Sequence, residues 1–347
     1  MNILHITVHM GDGAGQAIGG LARMGNGREN THKILLLDEP IKLNHMNRCL
    51  DAGIVILGRD KTENSIAEAD VVILSWWGSQ VMDTFLSLFP PIPCRVLLWC
   101  HKNGYYEPPL PDALVDACDG LLATTPWTLE NPRWSKNGVL VWGFGDFDPQ
   151  KFVFKTDYSV GDTFTVGYVG MPGYKRFPPN AVEYFAEALK QVPDCRFILA
   201  GEPEAQFIDD LVAHGLDDKV KCVGWVADVP GMLAMFDVFA YLLKPNVFAT
   251  TENSLLEAMA VGLPVVVSRK PLGKYLLEEN VAGFLFDGPK DFTVMIKRLR
   301  NDEALREQVG MQAREYVVTN RNADANLNSF NAACDKTMKL DKRIHAF

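Results

Sequence analysis

The chain reads as an α/β protein built from two parallel-sheet domains. Three observations predict this. Short apolar runs alternate with helical or loop stretches along the first half, the pattern of a parallel sheet covered by helices on both faces. The same pattern restarts after a polar, turn-rich stretch at Phe154 to Asp162. The length of 347 residues also exceeds the roughly 250–300 at which a single core stops growing.

Composition fits two large cores, with 48% hydrophobic and 22% charged residues. The formal net charge of −9 argues against broad electrostatic capture of nucleic acid or an anionic membrane. No stable nucleic-acid binding is expected, and at most peripheral membrane contact. The seven cysteines are scattered, with no Cys-x-x-Cys pair, which reads as free thiols in a reducing compartment. No apolar run approaches the ~18–20 residues of a membrane span. Met1 to Val8 runs straight into a strand-like pattern, without the features of a signal peptide. A cytoplasmic protein is expected.

Asn2 to Val8 is the opening strand. The glycine-rich MGDGAGQAIGGLARM follows, running into a helix with Ala17, Ile18, Leu21 and Ala22 on one face. Strand, glycine loop and helix let backbone approach a phosphate or sugar closely. The spacing of Gly11, Gly13 and Gly15 is not the full dinucleotide fingerprint, and a tight turn accounts for it equally well. Lys33 to Leu37, Ile54 to Leu57, Val71 to Ser75 and Arg95 to Cys100 are further strands, and Gly120 to Thr124 and Gly138 to Trp142 complete the half.

Ligands of such sheets sit beyond the carboxyl ends of strands. Two strand ends carry chemistry: Ser75-Trp76-Trp77-Gly78, and His101 to Tyr106. Aromatics beside polar groups suit a sugar ring, although Trp76 and Trp77 also suit a core. A lone His101 at a strand end is more often structural than catalytic. The turn-rich GFGDFDPQKF, Gly143 to Phe152, closes the half.

In the second half, Phe164 to Val169 is a strand ending in a glycine-rich turn with Lys175 and Arg176. A helix follows, with Val182, Phe185, Ala186 and Leu189 at helical spacing. Arg196 to Ala200, Val220 to Val223 and Val238 to Leu242 are the next strands, and Gly224-Trp225 follows the second of these. Fixed cations at a strand end can neutralise a leaving diphosphate; solvated loop charges are the plainer reading. Thr250 to Ser268 then supplies a polar loop, a short helix and a buried strand at Val265 to Val267. The loop and helix start suit an anion. Equally, Ser254-x-x-Glu257 has the form of a capping box, in which Glu257 merely serves its own helix start. Gly283 to Asp287 is a last short strand, Asp291 to Val318 is helical, and the tail to Phe347 is mostly helical in character.

Taken together, the glycine loop at Gly13 and Gly15, the strand-end His101, GDFDPQKF and LLEAMAVGLPVVVS resemble the retaining glycosyltransferases of family 4, the group 1 glycosyltransferases. The resemblance spans nearly the whole chain and is most specific over Leu256 to Ser268. It implies a GT-B fold, two Rossmann-like parallel-sheet domains facing across a cleft. The expected divisions are an acceptor-side domain at 1–155, a nucleotide-sugar domain at 156–320, and a tail at 321–347 crossing back to the first.

The resemblance also implies roles. Lys175 matches the diphosphate-binding lysine, Gly13 and Gly15 the loop beneath the diphosphate, and Glu257 the second glutamate of a Glu-x7-Glu signature that holds ribose hydroxyls. Thr251 to Ser254 match a loop whose amides face the donor, Gly224 and Trp225 lie where the nucleobase is received, and His101 sits near the transferred sugar. The catalytic set implied is His101, Lys175 and Glu252. The donor set is Gly13, Gly15, Arg176, Gly224, Trp225, Thr250, Thr251, Asn253, Ser254, Leu255 and Glu257. Trp76, Trp77 and Tyr105 form the acceptor side.

The sequence departs from the family at two places. The signature's first glutamate falls on Ala249, and a diphosphate arginine on Met171. Glu252 and Arg176 are the nearest replacements. The implied activity is retaining transfer from a UDP- or GDP-linked sugar to a saccharide or other hydroxyl acceptor of the cell envelope or an exopolysaccharide, with no metal and no cofactor. The alternatives are a GT-B protein that binds nucleotide or saccharide without transfer, and a phage-type enzyme acting on a modified DNA base.

Overall fold

A computed structural model describes residues 1–28, 30–39 and 43–347. The chain divides into two compact units. The first comprises Met1–Phe147, Phe248–Thr251 and Asn322–Phe347, and the second Asp148–Val247 and Glu252–Arg321.

The strands of the first unit are β1 (Asn2–Thr7), β2 (Thr31–Leu36), β3 (Val55–Leu57), β4 (Val71–Trp76), β5 (Val96–Cys100), β6 (Gly120–Ala123) and β7 (Gly138–Leu140). They form one sheet in the order β3-β2-β1-β4-β5-β6-β7, and every pairing is parallel. Helices α1 (Asp12–Gly25), α2 (Asn44–Asp51), α3 (Thr62–Glu68), α4 (Gln80–Ser87), α5 (Asp112–Ala117) and α6 (Pro132–Ser135) connect them. Both faces of a covered parallel sheet are buried, which is why its strands read as continuous apolar runs. One face carries Leu4, Ile6, Leu74 and Leu98. The other carries Ile3, Ile34, Ile73, Leu97 and Trp99, packed with Ala17, Ile18 and Leu21 of α1.

The second unit repeats the plan with β8 (Phe164–Val169), β9 (Cys195–Ala200), β10 (Val220–Gly224), β11 (Val238–Tyr241), β12 (Val265–Ser268) and β13 (Phe284–Phe286). The order is β10-β9-β8-β11-β12-β13, again parallel throughout. Its helices are α7 (Ala181–Gln191), α8 (Ala205–Ala213), α9 (Val229–Ala234), α10 (Asn253–Val261), α11 (Lys274–Leu276), α12 (Pro289–Asn301) and α13 (Glu303–Asn320). Gly262 ends α10 in the left-handed conformation, φ 89°. A side chain there would strike Phe154, 2.4 Å from an added Cβ, so the helix stops at a residue only glycine suits.

The last helix, α14 (Ala323–Met338), belongs to the first unit. Leu327, Phe330 and Ala333 complete the core beneath β1 and β5. Asn326 closes on the backbone of Trp142, accepting from its N–H at 2.8 Å and donating to its carbonyl at 3.0 Å. Beyond α14 the chain is not helical: Arg343 pairs antiparallel with Cys94. The sequence reading of a helical tail therefore holds to Met338 and no further.

Candidate functional site

In an open parallel sheet, strand order reverses at one point, and the connections there diverge to leave a crevice at the carboxyl ends. The second unit reverses between β8 and β11. The loop leaving β8 carries Lys175 and Arg176, and both residues beside Lys175 are tied down. Glu204, which precedes α8, accepts from the amides of Tyr174 at 3.1 Å and Lys175 at 2.8 Å. The Tyr174 hydroxyl donates to Asp210 of α8. The Lys175 side chain is exposed, and among the described residues its ammonium makes no ion pair.

Arg176 faces the other way and is 7% exposed. Its guanidinium donates to the Tyr241 hydroxyl at 3.0 Å and to the Glu252 carboxylate, and the Tyr241 hydroxyl donates to the same carboxylate. Burial alone would lower the guanidinium, but Glu252 more than reverses this and holds it charged. The two residues expected to replace the missing arginine and glutamate thus face each other.

Glu252 is the residue before α10, in the left-handed conformation with φ 57°. Such a conformation is costly for a residue other than glycine, and strain of this kind gathers at functional sites. Its side chain makes no cap. The amides of Leu255 and Leu256 bond the Glu252 carbonyl at 3.0 and 3.2 Å. Among the described residues, those of Asn253 and Ser254 have no acceptor. The expected donor contact at Leu255 is corrected here, since its amide is engaged and its side chain fully buried. The capping-box reading also fails, because Ser254 lies inside the helix rather than at its cap. Glu257 is half-buried, and desolvation pushes its carboxyl up to about 7. Gly224 takes φ 73° at the end of β10, and Trp225 after it is 74% exposed. Met171 is exposed.

The first unit reverses between β1 and β4. His9 follows β1, and its Nδ1 accepts from the Gly11 amide at 3.1 Å. Gly11 caps α1 without a side-chain bond. Within α1, a Cβ on Gly15 would lie 2.2 Å from the Met10 carbonyl oxygen, whereas one on Gly13 would meet nothing within 4 Å. Packing requires the glycine at 15 and not the one at 13.

Trp77, partly exposed, sits with its ring 5.3 Å from His9 and 6.0 Å from His101. Trp76 is 1% exposed and packs in the core with Leu74 and Leu98. Trp76 closes β4 and is corrected from sugar platform to core residue, whereas Trp77 lies past the strand's end, half-buried against the same core. His101 lies on Trp99 at 4.6 Å, its Nε2 is buried without a partner in the described structure, and burial depresses the ring to about 3. It is a neutral imidazole at any working pH. Tyr105 stacks on Trp127 at 4.9 Å and donates to the Trp127 carbonyl.

Asn103, which lies in the His101 to Tyr106 stretch but to which the sequence assigns no role of its own, organises this end. Its side chain donates to the Ala249 carbonyl at 3.2 Å and accepts from the Tyr105 amide at 2.9 Å. Thr251 accepts from the Gly143 amide and donates to the Thr124 carbonyl. Phe248 to Thr251 thereby belong to the first unit, Ala249 with its methyl buried, while Glu252 onward belong to the second. Glu204 and Tyr241 are likewise functional candidates that sequence reasoning passed over. Their signal was weak: an acidic residue just before a helix and a tyrosine at a strand end.

Residues 163–302 match the family model described as Glycosyl transferases group 1. The chain is 25% identical over 175 residues to alpha-D-kanosaminyltransferase of Streptomyces kanamyceticus, covering 48% of this chain and 44% of that one. It is 30% identical over 122 residues to the UDP-Gal:alpha-D-GlcNAc-diphosphoundecaprenol alpha-1,3-galactosyltransferase of Escherichia coli, covering 32% and 30%. The chain thus spans less than half the length of these two relatives. Among solved structures, Anabaena Alr3699/HepE in complex with UDP and glucose superposes with a TM-score of 0.74 at 16% identity, covering 97% of this chain and all of that one. At that identity the likeness establishes the fold, which is GT-B. Among the described residues, no helix is long and apolar enough to cross a membrane.

Proposed function

We propose that this chain, whose residues 163–302 form a Glycosyl transferases group 1 domain, transfers a sugar from a nucleotide-sugar donor to an acceptor hydroxyl with retention of configuration. One observation carries the reading. The loop after β8 presents an exposed lysine ammonium, and the next residue is bonded to the residue that precedes α10, whose first two amides have no acceptor among the described residues. Helix-start amides suit a phosphate, and an exposed lysine on the loop tied to that helix start can supply the balancing charge.

Under this reading Lys175 and the amides of Asn253 and Ser254 take up the charge that develops on the departing diphosphate. Glu257 accepts hydrogen bonds from ribose hydroxyls, and Trp225 offers an exposed ring to the base. The bond from the anomeric carbon to the phosphate oxygen breaks while the acceptor oxygen bonds to that carbon from the same face. The acceptor proton passes to the leaving phosphate oxygen, so no side-chain nucleophile is needed. His101 is neutral and orients hydroxyls rather than donating as a cation. Trp77 and Tyr105 receive the acceptor. The reading uses no metal ion.

The UDP-Gal and GlcNAc-diphosphoundecaprenol in the name of the Escherichia coli relative, and the UDP and glucose in the Anabaena structure, support a UDP-linked donor and a saccharide acceptor; a cell-envelope acceptor and a cytoplasmic site of action are part of the proposal. A second reading, a protein that binds nucleotide without transfer, is favoured by the buried methyl of Ala249 and by the mutual neutralisation of Arg176 and Glu252.

The test is incubation with UDP- and GDP-linked hexoses and lipid-linked or oligosaccharide acceptors, following nucleoside diphosphate release and the anomeric configuration of the product. Acceptor-dependent release that persists in EDTA supports transfer. Nucleotide binding without release across the acceptor panel supports the second reading.

A further inference from the structure

Glu252 is the acidic residue best placed to cap α10, yet it does not do so. An aspartate, asparagine or serine before a helix ordinarily turns its side chain onto the first amides. Here the carboxylate turns away and meets Arg176 and Tyr241. The backbone adopts a conformation that disfavours a residue with a side chain, φ 57° and ψ 66°. Arg176 and Glu252, 7% and 9% exposed, form a pair whose desolvation is costly unless the geometry is good and the remaining polar atoms are satisfied. Tyr241 supplies the third member, its ring stacked on Tyr168 at 5.6 Å. The Arg176 carbonyl accepts from the Lys244 amide at 2.7 Å, so the loop after β8 is also bound to the chain leaving β11.

We propose that Glu252 is a positioning residue. By holding Arg176 and Tyr241 it keeps its carboxylate off the start of α10 and fixes the loop after β8, so that the Asn253 and Ser254 amides and the Lys175 ammonium all stay open to the donor's diphosphate. The inference rests on the glycosyltransferase reading and deepens it. Glu252 passes from a residue expected to touch the sugar to one that acts through Arg176. The charge balance makes physical sense: a carboxylate left at the helix start would repel a diphosphate, whereas one neutralised by a buried guanidinium does not. Glu204 anchors the same loop from the other side, so Lys175 sits between two fixed neighbours.

The test uses the full chain, with UDP and GDP as probes and no acceptor present, so that binding is measured apart from turnover. Glu252→Gln keeps the shape and an acceptor oxygen but removes the negative charge that faces Arg176. The double variant Arg176→Met/Glu252→Leu replaces the ion pair with apolar side chains of similar size, which buried pairs often tolerate. Circular dichroism and melting midpoints identify folded protein. Both folded variants are expected to bind the nucleotide at least tenfold more weakly. With donor sugar present, KM is expected to rise more than kcat falls. If the double variant binds as tightly as wild type, or if Glu252→Gln lowers only the melting midpoint, the pair is packing and the proposal falls. Wild-type protein that binds neither nucleotide sinks the glycosyltransferase reading itself, and this inference with it. Binding by wild type that the variants match sinks only the inference.

Discussion

At the reversal of the first sheet stand Trp77, His9 and His101, rings against rings, with His101 held neutral by burial. At the reversal of the second stand Lys175, Arg176 and Glu252, an open cation and a closed ion pair. The backbone plan is the same in both, parallel strands with helices on both faces and one change of direction. The difference shows that the fold supplies only the crevice, and the side chains at the strand ends decide what enters it. A ring-lined crevice suits the C–H faces and hydroxyls of a saccharide. A crevice with a lysine and uncapped amides suits phosphate.

The largest expected effect tests the charged side of that contrast. Lys175→Ala should lower kcat by about 10²–10³-fold, the usual loss when one donor to developing negative charge is removed. Its exposed ammonium makes no ion pair among the described residues, so the melting midpoint should hardly move. Steady-state kinetics and thermal melts on the same preparation check both halves. Activity surviving intact would place the diphosphate elsewhere.

The neutral side answers to acid. His5 and His32 are buried and bonded ring to ring at 2.9 Å beneath Phe330. Burial lowers His5 well below the usual value and His32 to about 4. A histidine whose folded value is depressed binds fewer protons folded than unfolded. Its contribution is present above about pH 6.5 and is lost as pH falls toward 4, by about 3 kcal/mol for His32 at 1.36 kcal/mol per unit. Urea melts of the wild type between pH 6.5 and 4 should show this slope, and His32→Gln should flatten it.

Much of this molecule is legible in the chain, and for a definite reason. Strands buried on both faces must be apolar throughout, so Phe164 to Val169 stands out from the sequence at its actual bounds. Lys175 and the α10 segment stand out because glycine, proline and polar residues interrupt apolar runs at strand ends. What stays hidden is which long-range partner each polar group takes. Arg176 and Glu252 are 76 positions apart, and no local pattern tells that they neutralise each other. Trp76 and Trp77 are neighbours in sequence with different exposure, because the strand ends between them: Trp76 is buried as the last residue of β4 and Trp77 only half-buried on the same core. Thr251 and Glu252 fall to different units; the Thr251 hydroxyl accepts from the Gly143 amide and donates to the Thr124 carbonyl, partners that no local pattern announces.

The second unit should respond to pH with the opposite sign. Burial raises Glu257 to about 7, so the folded protein holds a proton that the unfolded chain gives up near pH 4.5. That stability is full below pH 4.5 and is lost as pH rises toward 7, by about 3 kcal/mol. Glu257→Gln should therefore be the more stable protein at pH 8 while binding UDP more weakly. If ribose hydroxyls donate to this carboxylate, nucleotide binding near pH 7 must release part of a proton. Calorimetry in two buffers of different ionisation enthalpy reads that release directly, and its absence would separate Glu257 from the ribose.

The smallest effect is the most discriminating between packing and ligand, because it sets two glycines of one helix against each other. Gly15 is demanded by the protein: an added Cβ lies 2.2 Å from the Met10 carbonyl oxygen, and Gly15→Ala should destabilise by about 1–3 kcal/mol as that backbone is forced apart. Gly13 is not demanded by anything among the described residues, where an added Cβ meets nothing within 4 Å, and alanine is the better helix former by up to about 1 kcal/mol. Gly13→Ala should therefore leave the melting midpoint unchanged or slightly raised. If the space beside Gly13 is where a diphosphate comes close to backbone, the same methyl should weaken UDP binding several-fold. Weaker binding in a protein that is no less stable has no explanation in packing. Unchanged binding would mean that the start of α1 is a connection between strand and helix and nothing more.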